Sequence, residues 1–374
     1  MIMSVEPSNK NGTPKYSKML KFARDKQYGG ASLIGEGLCR DVFLSIPPRT
    51  WFFGKTVSVG DAAFRQDGYI KEVILPDGVV SIGIGAFESC GKLKEVTFPS
   101  TLRSIERRAF CDSGIESVKI DGSVDIMEGA FASCKNLRSL RINGDCKISK
   151  HAFLNCTELG SVEISGNLTV GEEAFYGCSS LEDLELGGLD EIPQGCFKGC
   201  TKLRRVNAEN VTYLGSEAFK GCESLGELIV AKELSGGFCD ILDGTLYEKE
   251  CLEQKKESLY LNGWLLRCYG NATRFTLEAD IKGIATDAFL DVAQDKYLDN
   301  PDYHPEYGDE FSWDYEHEGT PDPLWFKPKL LTNETIVLIY PGTREEWYCL
   351  TKRSGSRILR FEVIAEDGTV MCEF

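Results

Sequence analysis

Apolar and polar positions along the chain alternate in short bursts that return at a nearly constant interval. Leu93, Val96 and Phe98 are followed by Ile115, Val118 and Ile120, then by Leu137, Leu140 and Ile142, by Leu159, Val162 and Ile164, and by Leu181, Leu184 and Leu186. Apolar residues two apart predict one short strand in each burst, with one face buried. Between bursts, a small residue and a phenylalanine recur as a pair: Ala63-Phe64, Ala86-Phe87, Ala109-Phe110, Ala130-Phe131, Ala152-Phe153, Ala174-Phe175, Cys196-Phe197 and Ala218-Phe219. Successive phenylalanine numbers in this series differ by 23, 23, 21, 22, 22, 22 and 22, and a further copy, Ala288-Phe289, follows a long interruption. A third apolar position, at Ile82, Ile105, Ile126, Ile148, Val170, Ile192 and Leu214, closes each unit.

A period of about 20 to 29 residues marks a leucine-rich solenoid. One unit of this length cannot bury its own apolar face, whereas stacked units share a continuous core and pair their strands in a parallel sheet. The predicted fold class is therefore α/β: a leucine-rich-repeat solenoid of about nine coils, with a parallel β-sheet on one face, short helical turns carrying Ala-Phe on the other, and capped ends. The organisation read from the chain is an N-terminal cap with a short helix over 1–50, contiguous coils over 51–238 and a β-hairpin insert over 239–280. A further coil over 281–290, an acidic aromatic insert over 291–328 and a strand-containing C-terminal cap over 329–374 complete it. The helix is expected within 15–27, ahead of Gly29-Gly30, and Trp51, Phe52 and Phe53 would help it close the end.

Segments such as Val79-Val-Ser-Ile-Gly-Ile-Gly-Ala-Phe-Glu-Ser-Cys-Gly-Lys-Leu-Lys-Glu-Val-Thr-Phe-Pro99 resemble the BspA-type leucine-rich repeat, and the resemblance covers most of 56–290. Asp243-Gly-Thr-Leu-Tyr247 and Trp264-Leu-Leu-Arg-Cys-Tyr269 resemble the hairpin insert of that family, and Ile339-Tyr-Pro-Gly-Thr-Arg-Glu-Glu-Trp347 with Asp367-Gly-Thr369 its carboxy-terminal segment. The resemblance implies a protein used in adhesion or other protein contacts, often secreted or at the cell surface.

Composition narrows the function classes. The 374 residues carry 42 Lys and Arg against 58 Asp and Glu, a formal net charge of −16. Such a chain repels phosphate backbones and anionic membranes, so nucleic acid is not the expected partner. The first sixteen residues lack the apolar stretch of a secretion signal, and no segment approaches the ~20 apolar residues of a membrane span. These features place the chain in the cytosol without membrane insertion, with the secreted or surface location implied by the resemblance as the alternative; a monomer is expected.

Six of the fifteen cysteines, Cys90, Cys134, Cys156, Cys178, Cys200 and Cys222, lie three residues after a phenylalanine. Neighbours one coil apart should sit about 4.8 Å from each other, in parallel orientation, whereas a disulfide brings Cβ atoms to ~3.8 Å and turns them together. No Cys-x-x-Cys pair offers a zinc site. Buried free thiols are the expectation, and no cofactor or metal. Gly-x-Ser-x-Gly, Walker and His-Glu-x-x-His motifs are missing, and no carboxylate pair is singled out, so no catalytic residue is assigned and the chain is read as a non-enzyme.

Two surfaces remain as binding candidates. Residues 291–328 hold eleven carboxylates against two lysines, together with Tyr297, Tyr303, Tyr307, Phe311, Trp313, Tyr315, Trp325 and Phe326. A carbohydrate- or cation-binding module built on Asp309, Glu310, Trp313, Asp314 and Glu316 is the alternative function, although the alternating ligands of a calcium loop are missing. The favoured candidate is the outward row of the strands, Glu95, Thr97, Lys119, Arg141, Glu163, Asp183, Glu185 and Arg205. The same row is equally what a solvated sheet face would show, but solenoids present partners with such a continuous face. The expected function is a non-catalytic scaffold for an unidentified protein partner.

Overall fold

The computed structural model describes residues 2–3, 20–35, 42–50, 53–232, 234–236, 240–269, 274–278, 281–285, 288, 336–341, 343, 360–366 and 368–373. These fall into two compact units, 1–250 and 251–374. The acidic insert, Phe289, Trp51, Phe52 and most of the first nineteen residues lie outside the described residues.

In the first unit each coil contributes two strands rather than the single one expected. The strip strands include Glu95–Thr97, Ser117–Ile120, Ser139–Ile142, Ser161–Ile164, Asp183–Glu185, Arg205–Ala208 and Glu227–Val230. The closing apolar position forms a second parallel column, with Ser104–Ile105, Val124–Ile126, Cys146–Ile148 and Leu168–Val170 in register. Val124-Asp125-Ile126 shows why: its outer residues are buried and its middle one exposed, the alternation of a strand compressed into three residues.

The Ala-Phe wall is not helical. Each coil carries a left-handed residue just before the pair and another two residues after the phenylalanine, as at His151 (φ 57°) and Asn155 (φ 57°), or Gly195 (φ 59°) and Gly199 (φ 75°). Left-handed residues cannot propagate a right-handed helix, and here they turn the peptide groups along the stacking direction. The N–H groups of Phe131 and Ser133 donate to the carbonyls of Ala152 and Leu154 in the next coil, at 2.8 and 2.7 Å. The wall is thus a third hydrogen-bonded column. Among the described residues the solenoid has about 11 turns, not nine. The Ala-Phe count falls short because a coil can use other residues there. Buried Ile241 and Leu242 take the pair's place, and the Ile241 carbonyl accepts from Phe219 N at 3.2 Å.

Phenylalanine rings fill the core behind the wall. From Phe64 to Phe219 eight rings stack at centroid distances of 5.1 to 5.7 Å, and the planes of neighbouring rings lie within 8° of parallel. The period-linked cysteines lie beside them. Each thiol donates to the carbonyl of the preceding coil's phenylalanine, from Cys90 to Phe64 at 3.0 Å through Cys156 to Phe131 at 3.1 Å to Cys222 to Phe197 at 3.1 Å. The eleven described cysteines that are buried are free thiols, and the six of the ladder therefore act as hydrogen-bond donors as well as packing.

Burial pushes the Cys90 and Cys146 thiols up to about 12. A raised folded-state value means the folded protein holds the proton more tightly than the unfolded chain. The associated stability is fully present below the ordinary thiol range near 9 and declines as pH rises from there towards 12. Iodoacetamide labelling at pH 8, read by peptide-resolved mass spectrometry, should leave Cys90, Cys134, Cys156, Cys178, Cys200 and Cys222 unmodified until denaturant is added. Rapid native labelling of these thiols would contradict their burial.

The expected N-terminal helix is replaced by strands. Leu20–Arg24 pairs antiparallel with Ala31–Gly35, which continues in parallel to Gly54–Val59. Leu20 and Phe22 are buried and Lys21 exposed, so alternation prevails over helix-forming composition. Asp25 makes the reversal, its Oδ1 accepting from the N–H groups of Gln27 and Tyr28 at 2.8 and 2.7 Å.

A helix over Leu246–Glu253 begins in the first unit. In the second, Ser258–Leu261 and Trp264–Cys268 form an antiparallel hairpin. Asn262 and Gly263 turn it, both at positive φ, as a tight hairpin turn requires. Arg274–Thr276, Ile336–Ile339 and Arg360–Ala365 pair in parallel, and Gly368–Glu373 adds an antiparallel edge.

Candidate protein-binding strip

Strand register brings the predicted residues into rows. Lys119 stands beside Arg141 and Arg141 beside Glu163, while Asp183 stands beside Arg205, and Arg205 beside Glu227. Glu95 and Thr97 flank buried Val96 and are exposed. Alternation is the cause: Val118, Leu140, Leu184 and Val206 point into the core, which sends their neighbours outward.

Two features differ from the simple picture of a basic spot beside an acidic one. The charges pair along the strip: Arg141 Nε lies 3.6 Å from Glu163 Oε2, and Arg205 bridges Glu185 and Glu227 at 2.5 and 3.1 Å. Hydrogen bonds from Asn207 and Arg205 hold the Glu185 carboxyl below its ordinary value. Exposed pairs of this kind are screened by solvent and contribute little to stability.

The strip is also not one sheet. Phe43–Ser45, Glu72–Ile74 and Glu95–Thr97 form one three-stranded sheet, Ser117–Ile120, Ser139–Ile142 and Ser161–Ile164 a second, and Asp183–Glu185, Arg205–Ala208 and Glu227–Val230 a third, so pairing is interrupted after Glu95–Thr97 and again after Ser161–Ile164. Strand pairing in the second column also ends at the later of these coils, after Leu168–Val170. The wall continues without interruption: Phe175 N donates to the Cys196 carbonyl at 3.0 Å, and Phe175 and Phe197 stack at 5.6 Å. At the later break lies a depression of about 600 Å³, bordered by Arg141, Glu163, Glu182, Asp183 and Glu185, with Val162 and Ile164 within it. Glu182, Val162 and Ile164 were not assigned from the sequence, because the repeat spacing runs unchanged through the break. Arg204 was also missed; it lies just outside the strand and binds Glu182 at 2.9 Å and Asp183 at 3.2 Å.

His151, read from sequence as a surface substitution, is half-buried on the wall with Nε2 2.9 Å from Glu173 Oε2 in the next coil. Among the described residues no cluster of three or more His, Cys, Asp or Glu side chains could hold a metal ion, and no helix is long and apolar enough to cross a membrane. Asp309, Glu310, Trp313, Asp314 and Glu316, which carried the carbohydrate or cation alternative, lie outside the described residues.

Stacked coils with parallel strands, an Ala-Phe wall and an outward strip define a leucine-rich-repeat β-solenoid. Residues 57–182 and 146–236 match the BspA type leucine-rich repeat region, in six copies. These residues form a BspA type leucine-rich repeat region. Proteins built on such repeats generally serve as protein-interaction scaffolds.

Among solved structures, the chain is similar to the T. pallidum leucine-rich repeat protein at 23% identity, covering 63% of this chain and 93% of that one, with a TM-score of 0.34. It is similar to a leucine-rich cell surface protein from Faecalibacterium prausnitzii at 17% identity, covering 74% and 85%, with a TM-score of 0.33. A leucine-rich repeat protein from Bacteroides ovatus matches at 19% identity over 60% and 90%, with a TM-score of 0.25. No curated protein matches the chain.

Proposed function

We propose that the protein is a non-catalytic scaffold that holds another protein against the strip running from Glu95 and Thr97 through Lys119, Arg141, Glu163, Asp183 and Glu185 to Arg205. The observation that carries this reading is the register. Neighbouring coils place charged side chains in rows across the strip, on a backbone whose wall is hydrogen-bonded from coil to coil. A rigid, pre-ordered array loses little conformational entropy on binding and selects partners by charge pattern. Adhesion is one use of such a surface. The buried thiol ladder suits an oxidising or a reducing compartment equally, because oxidation proceeds through exposed thiolates.

Affinity capture from the native cell, with the strip reversed in charge, tests the reading. A Lys119→Glu, Arg141→Glu, Asp183→Lys variant should lose its captured partner at least about tenfold, the difference that about 1.4 kcal/mol of binding makes. A wall variant, Lys150→Glu with Glu172→Lys, should retain it, and both should keep the native melting temperature. Equal capture by the strip variant would overturn the assignment.

A further inference from the structure

We infer that the break between Ser161–Ile164 and Asp183–Glu185 is a socket for a basic side chain, arginine or lysine, presented by the partner protein. This rests on the scaffold reading above and specifies what one part of the strip recognises.

Three observations converge there. First, the inward residues of the strand at the break are no longer sealed: Val162 and Ile164 are half-buried, whereas Leu140 and Ile142, their partners in register, are 0% exposed. Hydrogen-bonded strand pairing stops at this edge. Second, the opening has about 600 Å³ of space, enough for a long side chain with some of its flanking peptide. Third, four carboxylates, Glu163, Glu182, Asp183 and Glu185, border it against a single lining arginine, Arg141.

Each of the four carboxylates already has an arginine partner, and Glu185 is engaged at both oxygens, by Arg205 and Asn207. Arg204 takes Glu182 Oε2 and Asp183 Oδ2, and Arg141 takes Glu163 Oε2. Among the described residues the second oxygen of each of these three carboxylates accepts no hydrogen bond, leaving it to an incoming donor.

An apolar floor beneath a carboxylate rim matches the two parts of an arginine or lysine side chain. The methylene stem covers Val162 and Ile164, and the charged head meets the acceptor oxygens. An acidic side chain would meet like charge, and a purely apolar one would leave the carboxylates partly desolvated without a donor.

The test uses the full chain with methyl-labelled valine and isoleucine and two short capped peptides, Ser-Gly-Arg-Gly-Ser and its citrulline counterpart. Citrulline preserves shape and removes the charge. The arginine peptide should shift the Val162 and Ile164 methyl signals saturably, with the citrulline peptide at least about tenfold weaker. Added salt should weaken the arginine peptide selectively. Glu163→Gln with Glu182→Gln should reduce its affinity at least about fivefold, while methyl signals elsewhere stay in place and show the variant folded.

Equal shifts with citrulline, shifts confined to other methyls, or no saturable shift would overturn the socket. The two proposals fail separately. Capture that depends on the strip while the arginine peptide does nothing leaves the scaffold and removes the socket. A working socket with capture indifferent to the strip does the reverse.

Discussion

Phe153→Ala is expected to lower the unfolding free energy by roughly 3–5 kcal/mol. Phe153 is 0% exposed and lies between Phe131 and Phe175, each 5.3 Å away and within 3° of parallel. Truncation removes the ring's buried area and both stacking contacts, and leaves a hole that neither neighbour can fill. Each ring's backbone is fixed by wall hydrogen bonds, Phe131 N to Ala152 O and Phe153 N to Ala174 O, both at 2.8 Å. In a solenoid, stability is a sum of coil and nearest-neighbour terms, so position matters. Phe64, which stacks on Phe87 at the end of the ring column, should cost less when truncated. Urea titrations of Phe153→Ala and Phe64→Ala measure this directly. Equal small losses for both would mean that the ladder is not the core.

Gly166→Ala is the second large effect and has a different origin. A Cβ on Gly166 would press on the Gly144 carbonyl carbon and lie 2.5 Å from Asp145 N. Both atoms are backbone of the preceding coil, so relief requires the coils to separate. Overpacking of this kind costs roughly 1–3 kcal/mol, and an obstacle made of backbone puts the effect at the upper end. Gly187 is the control, since a Cβ there meets nothing within 4 Å. Gly187→Ala should change stability by no more than about 0.5 kcal/mol. Equal melting temperatures for the two variants would show that the coils are not stacked as closely as described.

The sequence showed some features of this molecule clearly because each coil repeats the same chemistry. Ala152, Phe153 and Cys156 recur in kind one period away, and the strip alternation Val118-Lys119-Ile120 identifies its own outward residue. The helical wall was misread because local composition does not report φ. Gly129, Gly195 and Gly199 hint at left-handed positions, but His151 and Asn155 occupy them too, and neither residue announces that conformation. The N-terminal strand was hidden by composition: Leu20–Arg24 is built of helix formers, and only the burial of Leu20 and Phe22 about Lys21 shows its period.

The later break in the strip was the least legible feature. Asp183 follows Ser161 at the same interval that separates Ser161 from Ser139, so hydrogen bonding is lost there without any change of spacing. The charges of the strip pair along it, Arg141 with Glu163 and Arg205 with Glu185 and Glu227, and the spacing does not report that pairing. Arg204, which organises Glu182 and Asp183, sits one residue before the register that alternation defines.

Photo-crosslinking tests the central claim, that the strip is where a partner protein binds. A photoreactive residue is placed in turn at Lys119, Glu163 and Asp183 on the strip, and at Lys150 and Glu172 on the wall, and irradiated in the native cell. One crosslinked partner should be shared by the three strip positions and missing from both wall positions. The same adduct from strip and wall alike, or from the wall alone, would contradict the claim.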